Sequence, residues 1–324
     1  KWAVELWHVH QRDQFFYHFT SKDGMNIVHE KLDFTKAAGY QMTEGLMMPF
    51  IGDGVINDEV LEDEEEAPDF YNMTWTISQL RNAGRYAGEE TNQQTEYKLP
   101  TEIRNGLGDW MANKRDIAIF DAVAVAPSKV YLVNDRATTA SIVAGDLMTL
   151  QQFVRAKVYA ISTAYPKLPP IKIAKVGEKT VYRYVGLMHD HVAYDLSMND
   201  PVYQQTVRDA GVRGNDNPMF TGALIDYMGM LLHAHDNCPI YTTWGTGAIA
   251  GAESYLLGRQ AVIVGIGGYK MQGKNGYLKW VEKRFDYENQ FGIAVGIIKG
   301  EAKSVFNSLD FSVVAIRSSR TNIS

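Results

Sequence analysis

Three His-x-His pairs, His8/His10, His189/His191 and His233/His235, are the side chains in this sequence best suited to hold a metal. Residues two apart on a strand share a face, so both imidazoles of a pair could reach one ion, with Asp190, Asp195 and Asp236 completing the shell. Such a site would support metal-dependent hydrolysis. The competing reading is that polar strand ends tolerate histidine, with the pairs at loops or subunit contacts. No His-Glu-x-x-His motif reinforces the metal reading, so no metal or other cofactor is expected.

Gly245-Thr246-Gly247 with Gly251 follows a strand-like run and precedes an expected helix, as a dinucleotide-binding turn would. The spacing departs from Gly-x-Gly-x-x-Gly, and no acidic residue sits about 20 positions on at a strand end, so a flexible turn is the better reading. Gly265, Gly267 and Gly268 read as turn glycines. Gly177-Glu178-Lys179-Thr180 lacks the upstream glycine of a P-loop. The acidic run Asp58, Glu59, Glu62, Asp63, Glu64, Glu65, Glu66 offers hard-cation ligands without EF-hand spacing, and a solvated or partner-facing loop is expected. No Gly-x-Ser-x-Gly elbow is present.

The chain that must position these residues has 324 residues, is 45% hydrophobic and carries a net charge of -6. That suits one or two compact units and disfavours tight nucleic-acid binding, which needs clustered Lys and Arg. The single cysteine, Cys238, rules out an intramolecular disulfide and fits a reducing cytoplasm. No run of about 18 apolar residues occurs, and Lys1-Trp2-Ala3-Val4-Glu5 lacks signal-peptide order, so a soluble chain is expected.

Trp2 to Phe19 reads as a loose helical face or an arm lying on a partner. Ile27–Leu32 and Tyr40–Phe50 read as strands, and Tyr71, Met73, Trp75 and Ile77 alternate with polar residues in a third. Between them the acidic run would tip a two-stranded projection. Such a ribbon is marginal alone in water, and another copy of the chain is its simplest cover.

Pro100-Thr101-Glu102 opens the longest expected helix, with Ile103, Leu107, Trp110, Met111, Ile117 and Phe120 on one stripe and Arg104, Asp109, Asn113 and Asp116 mostly off it. A second helix is expected over Asp146–Ala164. A third is expected from the Asp200 cap to Gly211. Strands are expected over Val181–Met188 and Leu224–His235, a helix around Ala248–Gln260, and closing strands Phe291–Ile298 and Phe311–Arg317 divided at Lys299-Gly300. Helices and strands mix without βαβ alternation, which indicates an α+β fold.

Several segments, in order, carry a resemblance across nearly the whole chain. They are Lys36-Ala37-Ala38-Gly39, Gly52-Asp53-Gly54-Val55 with the acidic continuation to Glu66, Phe70-Tyr71, Thr74 to Arg81, and Asp109-Trp110. The most specific is Asn217-Pro218-Met219-Phe220-Thr221-Gly222-Ala223-Leu224 with Tyr227 and His235, followed by Phe291-Gly292, Gly300 and Asp310-Phe311. The sequence resembles the phage major capsid protein family named for coliphage N-four, although Ile225 stands where that family often has a further glycine.

The resemblance implies a structural shell subunit, not an enzyme, with the Hong Kong 97 phage capsid fold. It would comprise an N-terminal arm (1–25), an extended loop (26–95), a peripheral domain with a spine helix (96–145), an axial domain (146–286), and closing strands (287–324). Its copies would form pentamers and hexamers of an icosahedral head around double-stranded DNA. Expected inter-subunit contacts are Trp2, Phe15 and Phe16 of the arm, Met47, Met48 and Phe50 of the loop, and the carboxylates of Asp58, Glu59, Glu62, Asp63, Glu64, Glu65 and Glu66. Scaffolding, portal and decoration proteins would be further partners, DNA would be touched weakly and membranes not at all, and assembly would occur in the host bacterial cytoplasm. The same histidine pairs in a metal-dependent hydrolase are the alternative.

Overall fold

A computed structural model describes residues 14–34, 39–47, 50, 54–55, 62, 65–176, 179–212, 224–245, 247–268 and 278–322. Two sheets divide the strands. The six-stranded sheet runs β1 (Thr20–Ser21), β2 (Val28–Phe34), β13 (Val262–Gly267), β15 (Gln290–Lys303), β14 (Lys279–Phe285), with β5 (Ser78–Arg85) also on β15. The eight-stranded sheet runs β6 (Val130–Leu132), β18 (Val313–Ser319), β12 (Ile249–Leu257), β8 (Lys179–Met188), β10 (Met230–Ala234), β9 (Ile225–Tyr227). In it β11 (Ile240–Trp244) pairs with β12 and β7 (Ile171–Val176) with β8. A separate ribbon joins β3 (Gln41–Met47) to β4 (Phe70–Thr76), and β16 (Val305–Phe306) pairs with β17 (Leu309–Asp310). The fold is α+β, as its element order predicts.

After a short helix, α1 (Glu89–Gln94), the long helix α2 spans Leu99–Ala124 and starts with Pro100 in its first turn, where a missing N–H costs nothing. At 1.5 Å per residue it is about 39 Å long. Leu107, Met111, Ile119, Phe120 and Val123 are buried in one core with Val262, Val264 and Ile266 of β13 and Ile293, Val295 and Ile297 of β15. Asp116, expected off this stripe, is buried with them because it accepts backbone N–H groups there.

The second core lies against the eight-stranded sheet and gathers Met148, Leu150, Phe153, Val192, Leu196, Leu232, Leu256 and Ile316. The second expected helix begins at Leu150, four residues later than Asp146, as α3 (Leu150–Val158), and ends in a π-helical turn, Tyr159–Thr163. Asp146 is occupied elsewhere, accepting from Arg136 Nε at 2.9 Å and Asn134 Nδ2 at 2.8 Å. A helix not anticipated, α4 (Asp190–Asn199), precedes α5 (Pro201–Val212).

Between α4 and α5, Asp200 caps two helices at once. Its Oδ2 accepts from Leu150 N at 2.7 Å, at the start of α3, and its Oδ1 from Val202 N at 2.9 Å, at the start of α5. Since the group is buried, Asp200→Ala leaves these donors without a partner. The substitution is expected to cost about 2–3 kcal/mol, read as a lower urea midpoint of the subunit at unchanged slope. A loss below about 0.5 kcal/mol would show that water replaces the carboxylate.

Three expectations need correction. The helix around Ala248–Gln260 is strand β12, whose residues from Gly251 to Leu257 are all buried. A strand covered on both faces carries no alternation, so its apolar run imitates a helix. The closing strands are not divided at Lys299-Gly300, because β15 passes through both. Gly265 and Gly267 lie inside β13 and not in a turn, whereas Gly268 has the positive φ of +86° that a turn glycine provides.

The sheets also cross the sequential spans. β13 and β14, within 146–286, join the six-stranded sheet, and β18, within 287–324, sits centrally in the eight-stranded one. Residues 26–95 contribute the ribbon together with β2 and β5 of the six-stranded sheet. None of the described helices is long and apolar enough to cross a membrane.

Candidate assembly surfaces

The ribbon pairs Gln41 with Thr76 at its base and Met47 with Phe70 at its outer end. Alternation drives Met42, Met73 and Trp75 to one face, where they are buried with Ile263 and Phe306. Two glycines make this seat possible. A Cβ on Gly265 would lie 2.1 Å from Met42 Sδ, and one on Gly300 would lie 2.3 Å from the backbone oxygen of Thr76. Lys31 of β2 ties the ribbon down further, donating to Thr43 O at 2.8 Å and pairing with Glu44 at 2.6 Å.

The opposite face of the ribbon is turned away from this seat and is exposed along its length, polar near the base and apolar at the outer end. There Met47 is 49% exposed and Phe70 63%, with Phe50 60% exposed, whereas Leu46 and Tyr71 on the seated face are half-buried. Glu62, Glu65 and Glu66 are exposed as well. Trp2, Met48, Asp58, Glu59, Asp63 and Glu64 lie outside the described residues, as do His8, His10 and the motif Asn217–Ala223. Phe70 pairs with Met47 and extends this exposed apolar end, although in sequence it falls at a position that the alternation of β4 assigns to the polar face.

At the N-terminal end the first described turn is a short 3-10 helix, Phe15–Phe19, in place of the longer helical face expected. It docks on its own subunit. Asp116 of α2 accepts Phe15 N at 2.8 Å and Phe16 N at 3.5 Å. Burial raises the Asp116 pKa above the usual carboxylate value, while those two amides pull it partly back. Phe16 is fully buried, with its ring centroid 5.1 Å from that of Phe120, which leaves it no surface to offer a neighbour. Phe15 is partly buried between Phe120, His233 and His235.

The two described histidine pairs are engaged in other contacts. His189 caps α4, its Nδ1 accepting from His191 N at 3.1 Å, and burial with His191 nearby lowers its pKa. His233 and His235 spend their faces on Phe15 at 5.5 and 5.1 Å, and Asp195 accepts from Thr321 N. Among the described residues no group of three or more His, Cys, Asp or Glu could hold an ion. The dinucleotide reading fails too, since Gly245 and Gly247 link the antiparallel strands β11 and β12 and no helix follows them. Of the Gly177–Thr180 segment, Lys179 and Thr180 lie in β8, paired with Val176 and Lys175 of β7, while Gly177 and Glu178 lie outside the described residues.

Comparison with known proteins bears directly on this surface-rich, site-poor subunit. A sequence profile described as phage capsid protein matches residues 1–129 and 122–321. The chain belongs to the phage capsid protein family. The major capsid protein of Pseudomonas phage KPP25 is 25% identical over 370 residues, covering 97% of this chain and 93% of that one. Among solved structures, the capsid of Ralstonia phage GP4 superposes with a TM-score of 0.81 at 22% identity, over 96% of this chain and 92% of that one. The cyanophage Pam1 capsid asymmetric unit gives 0.78 at 17% identity, over 96% and 93%.

The fold is therefore that of phage capsid subunits, the Hong Kong 97-like plan that the motifs imply. As a member of this family the chain is a structural protein, the major capsid protein of a phage shell. The hydrolase alternative gains no support. The surfaces that matter are then those through which copies meet.

Proposed function

We propose that copies of this chain associate as pentamers and hexamers to build the icosahedral head of a tailed phage around double-stranded DNA. The observation that carries this reading is the uncovered apolar end of the ribbon, where Met47, Phe50 and Phe70 stand exposed on a two-stranded element. Such a ribbon is marginal in water by itself, so burying its outer end against a neighbour stabilises both partners. A closed shell repeats each modest contact many times.

In this reading the ribbon, with the acidic run Asp58 to Glu66 between its strands, is the extended loop. The six-stranded sheet with α2 as spine forms the peripheral domain, and the eight-stranded sheet the axial domain. Residues 1–25 would form the arm, with Trp2 meeting a neighbour. A net charge of -6 suits a wall that must release DNA, since little phosphate affinity accompanies it. Scaffolding, portal and decoration proteins would be the remaining partners, and assembly would take place in the host bacterial cytoplasm.

The test removes Asp58 to Glu66. The shortened chain is expected to stay soluble and folded by circular dichroism yet give no stable closed shells in negative-stain electron microscopy, where the full chain gives shells. Normal shells from the shortened chain would refute the extended-loop role.

A further inference from the structure

The face of the six-stranded sheet that points away from α2 holds a shallow groove of about 300 Å³. Its floor is made of small residues, Ala83 of β5 and Gly292 and Ala294 of β15, which face each other in register with Val281 and Lys283 of β14. Phe285 closes one end. The Arg85 guanidinium lies 5.2 Å and the Lys283 ammonium 4.7 Å from its ring centroid, so two cations are stacked at the rim of an apolar trough.

The lining includes cations and no carboxylate. The acid of this strand, Glu282, points to the other side, where it accepts from Trp280 Nε1 at 2.7 Å and Trp280 packs on the core. On a subunit with a net charge of -6, this is a local reversal of sign.

We infer that this groove receives the acidic segment of a second copy's ribbon, residues 58–66, with Arg85 and Lys283 meeting its carboxylates. The inference rests on the shell-forming role proposed above and names the surface that the ribbon tip would engage. The occupant is chosen by its chemistry. Asp58-Glu59-Val60-Leu61-Glu62-Asp63 places two adjacent aliphatic residues between pairs of acids, matching a trough with an apolar floor and a cationic rim.

A second copy is also the geometrically simpler donor. β4 leads into β5 through Ile77 alone, and Gly300 fixes Thr76 at the ribbon's base. Along this strand path the groove lies at the Arg85 end of β5, about 25 Å from that base at 3.3 Å per residue, and the ribbon carries its tip further from the base by another seven-residue strand. Packaged DNA is the competing anion, but the apolar floor gives a phosphate backbone nothing to bury.

The experiment reverses charge on each side. Groove variant Arg85→Glu/Lys283→Glu and tip variant Glu62→Lys/Asp63→Lys/Glu65→Lys are each expected to lower shell yield, by sedimentation and electron microscopy, at least about tenfold. Combining both sets in one chain should bring the yield back to within about twofold of the unmodified chain, and co-expressing the two single-side variants should raise it at least about threefold above either variant alone, because only unlike neighbours match and a five-membered ring cannot alternate them throughout. Co-expression succeeds only if tip and groove meet between copies.

Normal shell yield from the groove variant, or failure of the combined chain to recover, would overturn the inference while leaving the shell-forming role intact, because the unmodified chain still assembles. Recovery by the combined chain with no gain over either single-side variant on co-expression would assign the contact to one chain and refute the second copy. Normal empty shells that fail only to retain DNA would reassign the groove to the genome. Should the groove variant misfold by circular dichroism, Arg85→Gln/Lys283→Gln takes its place. It is expected to flatten the salt dependence of assembly, and an unchanged salt dependence would count against the groove.

Discussion

Replacing Asp310 by Asn is expected to destabilise the subunit by about 3–5 kcal/mol, because it strands a buried ammonium. Lys303 Nζ lies 2.8 Å from Asp310 Oδ1, with side-chain exposures of 4% and 1%. The lysine also donates to the carbonyls of Val125 and Ala126, just past the end of α2. The carboxylate in turn accepts Ser128 N at 2.8 Å, while Asp310 N donates to Ser128 Oγ at 2.7 Å. One ion pair therefore joins the end of the long helix, β15 and β17.

With Asn in place, Lys303 keeps only carbonyl dipoles and an amide for its charge, too little to offset its desolvation. Urea unfolding of the unassembled subunit reads the loss directly, and a cost under about 1 kcal/mol would mean that water reaches the pair. Adding Lys303→Met to Asp310→Asn should recover part of it, since the buried charge is then gone while the Asn amide oxygen can still accept Ser128 N.

What the sequence disclosed depended on whether an element shows one face to water. α2 and the ribbon strands β3 and β4 do so, and their periods of 3.6 and 2 were legible residue by residue. β12 is covered on both sides, so its apolar run fitted a helix as well as a strand. Asp116 was misplaced for a related reason. Its carboxylate is buried to hold the Phe15 and Phe16 amides, which are about 100 positions away along the chain, and no local pattern reports that. The histidine pairs were the converse case, since their spacing suggested ligation while their surroundings provide aromatic rings and a helix cap.

The exposed apolar positions proposed as contacts were legible in part. Met47 and Phe50 were marked by being apolar beside an acidic run, and both are exposed. Phe16 was marked by the same logic and is fully buried, because an apolar residue near a chain end fills its own core as readily as a neighbour's. The cationic groove went unseen, because it takes Arg85 and Lys283, nearly 200 positions apart, to be brought together by β15.

Gly300→Val should separate folding from assembly more sharply than any ribbon truncation. The new side chain would start 2.3 Å from the Thr76 oxygen and 3.1 Å from Ile77 Cα, both backbone atoms at the ribbon's base. Backbone has no rotamer by which to yield, so the ribbon must lift away from β15, drawing Met42, Met73 and Trp75 out of their seat. Uncovering that cluster costs about 3–5 kcal/mol by analogy with removing one large core side chain. Both main cores lie outside it and should survive, so the variant is expected to stay folded, with Trp75 fluorescence shifted to longer wavelength. Shell yield should fall by at least about tenfold, since a displaced ribbon presents Met47, Phe50 and Phe70 at the wrong place. Gly300→Ala carries the same Cβ and should show a similar defect, whereas Gly54→Ala, where a Cβ meets nothing within 4 Å, should assemble far better despite its positive φ of +66°. Equal yields from these two alanine variants would mean that the ribbon does not need its seat on β15 in order to assemble.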